Sequence, residues 1–394
     1  MRSHFLLTYD FPPMGGGIAR MMGELARRYP AGALQVSTGS FPGGEQSDAG
    51  YPNQVDRIAI PSPRLRAAGS LVRWSRRAES LARAQRPEFV WCGNFKPAGY
   101  PAWWLGRRLG LPYGIFLYGT ELLLLQSRLG RSAAKRVAAR PLIERAAVLV
   151  AISRWTRDRC LATVAQLGMD PGRVTVRTVP LGTDPLQFRP GIDPSEVRRR
   201  YGLEGGRWML TVARLAAHKG IDTVLHALAL LRDEAPELRY AVVGSGVMQR
   251  DLETLARELG VAGRVRFLTD VADRDLPALY NSAEIYVGMS RQVELMVEGF
   301  GISLVEASAC GIPVIGSASG GIPDAVRDGE TGVLVESGRP EAVRDAVRRL
   351  LVDRELSLRL GAGGRRAVES FYNWDRVAAD VIGIGREFTQ PLSG

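Results

Sequence analysis

The sequence is poor in cysteine and contains no long apolar run. Its three cysteines, Cys92, Cys160 and Cys310, lie far apart without paired spacing. This pattern predicts neither a disulfide framework nor a zinc site, and it favours buried thiols in a reducing cytosol. No apolar stretch approaches the ~20 residues of a membrane-spanning helix. No basic and then apolar leader precedes Phe5 either. We therefore expect a cytoplasmic protein that is not secreted and does not cross the membrane.

Clusters of histidine, aspartate and glutamate with the spacing of metal ligands are also missing, and the chain has only three histidines. We therefore expect no metal ion and no other cofactor. The hydrophobic fraction of 45% with 24% charged residues indicates a globular chain, and 394 residues suffice for two domains.

Positive charge is distributed unevenly along this chain. Residues 1–190 hold 27 Lys and Arg against 12 Asp and Glu, a net charge of +15, and the remainder hold 25 against 29, a net charge of −4. This asymmetry predicts an anionic partner for the first half. Because no nucleic-acid-binding motif accompanies it, we prefer a membrane surface, such as the inner face of the cell membrane, to nucleic acid.

Two basic segments could contact lipid. The first is a candidate helix at 64–86, which carries several arginines and Trp74. Such a helix can lie on anionic lipid, or it can be an ordinary surface helix that packs on a sheet. The second is the leucine run Leu122–Leu125 with the basic segment that follows it, for which buried packing is the simpler interpretation.

Short apolar segments alternate with helical segments in both halves, which predicts two parallel, doubly wound sheets. The alternation pauses at Pro185, Pro190 and Pro194 and restarts at Trp208. We therefore expect a first domain at 1–190, a second at 191–372, and a tail helix within 373–394 that could pack on either domain. Two such domains facing each other would leave a cleft.

Glycines follow the first strand and interrupt an acidic stretch near residue 300. Gly15-Gly16-Gly17 could bring main-chain amides against a phosphate, although a flexible turn is equally expected and the spacing does not support a dinucleotide fold. Glu298 and Glu306 lie eight residues apart around Gly299 and Gly301, at the start of a predicted helix. Such a start accepts hydroxyl-rich or anionic ligands. The alternative is a capping box, in which Glu306 only binds the amide of Ser303.

Two cations follow the first strand of the second half. Arg214 and Lys219 would lie at the carboxyl end of a parallel strand, where open α/β sheets bind ligands, and could hold a diphosphate. A salt-bridged surface loop is the alternative. Gly244-Ser245-Gly246 follows the next strand, and Val271 follows a third. These loops predict a nucleotide diphosphate with a group attached.

The order of these motifs resembles the signature of the retaining GT-B glycosyltransferases of family 4. The matching segments are Arg214 with Lys219-Gly220, 244–246, 298–306, 310–314 and 320–323. This resemblance implies a GT-B fold, with two Rossmann-like domains facing a central cleft, an acceptor-binding first domain, a donor-binding second domain and a tail helix that crosses back to the first. The segment 297–302, with Arg291 upstream, further resembles the GDP-mannose-dependent phosphatidylinositol mannoside mannosyltransferases.

The resemblance also implies a role for each matching residue. Arg214 and Lys219 would neutralise the donor diphosphate and leaving group, and Glu298 would position the transferred sugar. The remaining donor-binding positions would contact the phosphates, the sugar, the ribose or the base: Gly16, Gly17, Gly244, Val271, Phe300, Gly301 and Glu306.

One position departs from the family pattern. Many members have a histidine near the donor sugar where this chain has Tyr118, and residues 1–190 contain only His4. A phenol with a pKa near ~10 cannot act as a base at neutral pH, but it can hydrogen-bond a sugar hydroxyl. The departure keeps open the alternative of a nucleotide-sugar-binding protein without transferase activity. Transfer of glucose or N-acetylglucosamine from a UDP-sugar is a separate alternative for the donor. We expect a retaining transferase that moves mannose from GDP-mannose to a lipid-linked or glycan acceptor.

Overall fold

The computed structural model describes residues 3–59, 67–129 and 133–389. The chain divides into two compact units, one made of residues 1–179 with 374–394 and the other of residues 180–373. The first unit ends earlier than the boundary expected near 190. Residues that follow Val179 already pair within the second unit, where the Thr183 amide donates to the Tyr372 carbonyl at 2.9 Å.

The described part of the first unit contains a parallel sheet of seven strands in the order β3-β2-β1-β4-β5-β6-β7. Helices follow the strands, as expected for a doubly wound sheet. The strands are β1 (His4–Leu7), β2 (Leu34–Gly39), β3 (Gln54–Ile58), β4 (Phe89–Cys92), β5 (Tyr113–Leu117), β6 (Val148–Ala151) and β7 (Val176–Thr178). The helices are α1 (Gly17–Arg28), α2 (Gly44–Asp48), α3 (Ala67–Gln85), α4 (Gly99–Leu109), α5 (Thr120–Leu129), α6 (Ala133–Glu144), α7 (Arg154–Gln166) and the tail helix α16 (Trp374–Glu387).

The described part of the second unit contains a parallel sheet of six strands in the order β10-β9-β8-β11-β12-β13. Its strands are β8 (Arg207–Val212), β9 (Leu238–Val243), β10 (Val265–Leu268), β11 (Ile285–Gly288), β12 (Val314–Ser317) and β13 (Val333–Val335). Its helices are α8 (Ser195–Arg200), α9 (Ile221–Leu230), α10 (Gln249–Glu258), α11 (Leu276–Asn281), α12 (Ile302–Ala309), α13 (Ile322–Ala325), α14 (Pro340–Val352) and α15 (Arg354–Ser370). The prediction of two doubly wound α/β sheets is confirmed.

Each sheet reverses its strand order once, and this reversal positions the loops discussed below. In the first sheet β1 pairs with β2 on one side and β4 on the other. In the second sheet β8 pairs with β9 and β11. Since successive connections leave on opposite faces at such a point, the loops after the two central strands diverge and leave a crevice at the carboxyl edge.

Residues 64–66 of the candidate membrane helix lie outside the described part of the chain, and α3 covers most of the remainder. Trp74 is completely buried, and its indole donates to the Ser37 hydroxyl at 3.0 Å. Ala78 and Ala82 are buried in the same core, and α3 packs against α4. The tryptophan therefore belongs to the interior and does not contact lipid, although Arg73 and its neighbours on α3 are exposed.

The leucine run is also an interior feature. Leu122, Leu123 and Leu125 are buried on α5, and only Leu124 is exposed. The simpler interpretation of this segment is therefore correct for the residues described. No helix in the described ranges has both the length and the apolar character that a membrane span requires.

The tail helix α16 packs within the first unit against α1. An ion pair joins Asp375 to Arg28 at 3.1 Å. Gly385 lies against the imidazole of His4, where an added Cβ would come within 2.5 Å of His4 Cε1. A side chain at residue 385 would therefore push the helix away from β1.

Candidate active site

The second unit has a crevice at the carboxyl edge of its sheet, at the point where the strand order reverses. The loops after β8 and β11 contribute Lys219 and Glu298, and the start of α12 contributes Ser303. Thr211 and Ser290 complete the polar lining. Two predicted site residues from distant positions are thus brought together where α/β sheets bind ligands.

Lys219 and Glu298 form an ion pair within this crevice. Both side chains are mostly shielded from solvent, with 16% and 23% exposed. Burial alone would raise the pKa of Glu298, but the Lys219 ammonium, helped by His218 and the Ser290 hydroxyl, holds that pKa below its ordinary value. Glu298 is therefore ionised at neutral pH and can accept hydrogen bonds from a polyol.

Arg214 lies in the same loop, before Lys219, and its side chain is exposed. Among the described residues, none forms an ion pair or side-chain hydrogen bond with it. The alternative of a salt-bridged surface loop therefore does not hold for Arg214. Its guanidinium remains available to an anionic ligand, for which its two-pronged geometry is well suited.

The capping-box interpretation of Ser303 and Glu306 is wrong. Helix α12 is capped by Gly301, which adopts φ of +103°, and no side chain caps its first turn. Ser303 instead accepts a hydrogen bond from Tyr286 at 2.7 Å. Glu306, which is 2% exposed, accepts one from the Tyr280 hydroxyl at 2.6 Å. The Glu306 carboxylate thus contacts helix α11 instead of the start of its own helix.

Three glycines allow the loops around the crevice to touch. An added Cβ would come within 1.9 Å of the Met289 carbonyl oxygen at Gly220, 2.1 Å of the Ala213 oxygen at Gly244, and 2.4 Å of the Glu298 oxygen at Gly320. All three have positive φ. A side chain at any of them would separate two loops of the site. Gly244 thus contacts the neighbouring loop, and its contact with a ligand stays a prediction.

The loop before α12 borders the crevice, which Gly301 lines. Phe300 is buried beneath the loop, with its ring 6.2 Å from that of Tyr372. No acceptor within the described ranges binds the amides of Phe300 or Gly301. They can therefore donate to a ligand hydroxyl, as the sequence predicts. Val271 lies after β10, half-buried, at the outer side of the same carboxyl edge.

The predicted residues of the first unit lie at the carboxyl edge of the first sheet. Gly16 precedes α1 with φ of +118°, and within the described ranges the amides of Gly16 and Gly17 have no acceptor. Tyr118 follows β5, and its hydroxyl donates to the Gly93 carbonyl at 2.6 Å. Burial, reinforced by Glu121, raises the pKa of Tyr118 well above its ordinary value. Tyr118 is therefore a neutral hydrogen-bond donor and cannot be a base at neutral pH.

His4 cannot take the place of the missing histidine. It begins β1, at the opposite edge of the sheet, and is buried against Tyr29 and Trp91. Burial, with the nearby Arg386, lowers its pKa to about 4. Its ring serves packing within the first unit.

Two family descriptions match the chain. "Glycosyl transferases group 1" matches residues 194–367, and "Glycosyl transferase 4-like domain" matches residues 16–182. A GDP-mannose-dependent alpha-(1-6)-phosphatidylinositol monomannoside mannosyltransferase of Mycobacterium tuberculosis is 31% identical over 393 residues, 95% of this chain and 96% of that protein. The chain belongs to the group 1 glycosyl transferases.

Other relatives and solved structures agree with this family. A D-inositol 3-phosphate glycosyltransferase of Geodermatophilus obscurus is 38% identical over 237 residues, 58% of this chain and 50% of that protein. A structure of HepE from Anabaena in complex with UDP and glucose has a TM-score of 0.77 and 19% identity, and the match covers 98% of this chain and 99% of that one. The last likeness shows the fold alone, and the fold is GT-B.

Several contacts in this glycosyltransferase had no signal in the sequence. Tyr280, Tyr286 and Ser290 lie among apolar residues of buried elements, and no motif marks them. Within the described residues no group of three or more His, Cys, Asp or Glu could hold a metal ion. Transfer without a metal ion or other cofactor stays a prediction.

Proposed function

We propose that this glycosyltransferase moves mannose, with retention of configuration, from GDP-mannose to a lipid-linked acceptor. The observation that carries the proposal is the Lys219–Glu298 pair at the carboxyl edge of the second sheet. It occurs in a chain that aligns along almost its whole length with an enzyme named for GDP-mannose and a phosphatidylinositol mannoside.

In the proposed donor complex the charges of the crevice are divided between the two ends of the donor. Arg214 and Lys219 bind the diphosphate, where their charge stabilises the leaving group as the glycosidic bond breaks. Glu298 accepts hydrogen bonds from hydroxyls of the transferred sugar. Glu306 holds the ribose and Val271 lies beside the base.

Main-chain amides supply the neutral part of the proposed site. Phe300 and Gly301 have unused amides beside Glu298, so they can donate to the sugar hydroxyls that Glu298 leaves unpaired. Gly16 and Gly17 donate to the phosphates. Gly244 contributes by letting its loop approach Ala213, close to Arg214.

We propose that the departing phosphate oxygen takes the acceptor proton on the same face of the sugar. A double displacement needs a free carboxylate nucleophile and a second carboxyl as acid. Glu298 is instead paired with Lys219, and Glu306 is bound to Tyr280. Tyr118 is neutral and donates its proton to the Gly93 carbonyl, so its oxygen can accept a hydrogen bond from a hydroxyl but removes no proton.

The acceptor is proposed to be anionic. Both relatives named above act, by their names, on an inositol phosphate compound. The excess of positive charge in residues 1–190 suits such an acceptor and an anionic membrane that holds it. Because Trp74 is buried, attachment would depend on arginines and should weaken with salt.

A donor panel tests the proposal. Purified protein is incubated with GDP-mannose, UDP-glucose and UDP-N-acetylglucosamine, with phosphatidylinositol in anionic vesicles as acceptor. Transfer from GDP-mannose, an α-linked product by NMR and a loss of transfer in Lys219→Ala are the expected results. Preferential transfer from a UDP-sugar would replace the donor assignment. Tight donor binding by calorimetry without transfer to any acceptor would favour a binding protein.

A further inference from the structure

Arg291 holds the segment that leads to Glu298 against the start of α9. Its guanidinium donates to both carboxylate oxygens of Asp222, at 2.9 and 2.7 Å, and to the Thr223 hydroxyl at 3.0 Å. Its amide donates to the His218 carbonyl at 2.8 Å. A single residue thus binds the loop after β8 on both sides of Lys219.

The chain between Arg291 and Glu298 contains a tight reversal. Val293 and Met296 exchange two main-chain hydrogen bonds at 3.0 and 2.9 Å, and Glu294 has φ of +51°. Beyond this turn, the Glu298 carbonyl accepts from the Gly321 amide at 2.9 Å. The segment is therefore fixed at Glu298 by the loop that precedes α13, and at its other end by the contacts of Arg291.

Arg291 and Gly220 together determine how closely the two loops approach. The Cα of Gly220 lies directly against the Met289 carbonyl, two residues before Arg291. The planar guanidinium requires both Asp222 oxygens in one plane, which a flexible ammonium would not. Moving Arg291 would separate the chain that carries Lys219 from the chain that carries Glu298.

We propose that Arg291 is a positioning residue that sets the distance between Lys219 and Glu298 through its contacts with Asp222, Thr223 and the His218 carbonyl. It does not touch the proposed donor itself. This inference rests on the proposed function only for its effect on catalysis, since the geometry of the pair can be measured without any substrate.

The test compares Arg291→Gln with a matched control at the opposite edge of the same sheet. Arg207 also donates two hydrogen bonds to a carboxylate, at 2.8 and 2.7 Å, both to one oxygen of Glu284. Arg207→Gln therefore removes an arginine–carboxylate ion pair far from the crevice. Arg291→Lys keeps the charge without the two-pronged geometry and serves if the glutamine variant folds poorly.

The first readout is the reactivity of the Lys219 ammonium, measured by limited acetic anhydride labelling and mass spectrometry without nucleotide. Labelling of Lys219 should rise severalfold in the Arg291 variants and stay at the wild-type level in Arg207→Gln. Asp222→Asn should reproduce the rise. Unchanged Lys219 labelling in both Arg291 variants would overturn the proposal.

The second readout is transfer from GDP-mannose. Because displacement of a catalytic group by about 1 Å can reduce the rate ~100-fold, kcat should fall about 10- to 100-fold in Arg291→Gln while KM changes little. A fall of the same size in Arg207→Gln would overturn the proposal. If wild type transfers no sugar but Lys219 labelling still rises, the positioning role is supported and the proposed function fails.

Discussion

Replacing Lys219 by Met leaves Glu298 in the crevice without its cation and keeps the length of the side chain. Breaking a buried ion pair costs roughly 3–5 kcal/mol of stability, most of it from the unpaired charge. Since 16% and 23% of the two side chains remain exposed, solvent offsets part of this. We expect the second unit to lose about 1–3 kcal/mol of unfolding free energy at pH 7. We expect kcat/KM for the donor to fall about 10²- to 10³-fold.

The pH dependence of this loss follows from the pKa of Glu298. In wild type that pKa lies below its unfolded value of about 4.3. The stabilisation is therefore complete above that pH and disappears as the pH falls through the lowered pKa. In Lys219→Met burial becomes dominant and raises the pKa of Glu298, so the variant loses stability as the pH rises. The two proteins should differ most near neutral pH and become more similar as the pH falls through the lowered pKa of Glu298.

The assay must report on the second unit alone. Trp208 is the one tryptophan among residues 180–373 and is buried on β8, so 5-fluorotryptophan at this position gives a fluorine NMR signal for that unit. Urea unfolding is followed by this signal at pH 7 and pH 3.5. The double variant Lys219→Met/Glu298→Gln should recover most of the stability and none of the activity. An equal loss at both pH values, or no recovery in the double variant, would refute the reasoning.

Three further predictions follow from single contacts. Gly220→Ala should destabilise the second unit by more than about 2 kcal/mol because it combines a positive φ with an overlap against Met289. Gly338→Ala, with φ of +70° in open space, is the control for backbone strain. Equal urea midpoints for the two variants would contradict this prediction. Tyr118→Phe should keep the shape of the pH–rate profile, because its phenol does not ionise in the working range; a lost limb of the profile would identify Tyr118 as a base. Tyr280→Phe removes the hydrogen bond that orients the Glu306 carboxylate, so it should raise KM for the donor a few-fold with kcat nearly unchanged. An unchanged KM would show that the orientation of Glu306 does not matter for donor binding.

The strands could be predicted from the sequence where they are continuous apolar runs. They could not be predicted where polar residues interrupt the run. β2 and β3 were missed because they contain polar residues such as Gln35, Ser37 and Asp56. Their side chains form hydrogen bonds with partners that the spacing of apolar residues does not reveal. The Ser37 hydroxyl, for example, accepts a hydrogen bond from the Trp74 indole. The same contact explains why a basic helix with a tryptophan was not distinguishable from a membrane helix until its neighbours were known.

The contacts of the candidate site could not be read from the sequence. The motifs place Lys219 after a strand and Glu298 before a helix, and the two side chains meet because β8 and β11 are neighbours in the sheet. The hydrogen-bond partner of Glu306 could not be predicted from the sequence. A four-residue capping pattern and a tyrosine 26 positions away are equally compatible with the local sequence. The sequence marks the glycines but not the contacts that require them, since the close approaches at Gly220, Gly244 and Gly320 are to main-chain oxygens of residues distant in sequence.

The Lys219–Glu298 pair would exchange its partners when the proposed donor binds. Without a ligand each charge offsets the burial of the other, so neither needs to be neutralised by a proton. In the proposed complex the diphosphate provides new acceptors for Lys219, and the sugar hydroxyls provide new donors for Glu298. The two charges are then separated only when both ends of the donor are present. In the same proposal a free nucleotide diphosphate would engage Lys219 but leave Glu298 with fewer partners, so we expect the pair to favour the intact sugar nucleotide over its product. Replacing Glu298 by Gln should therefore weaken binding of the sugar nucleotide more than binding of the nucleotide diphosphate, measured by calorimetry, and equal weakening of both would contradict this account.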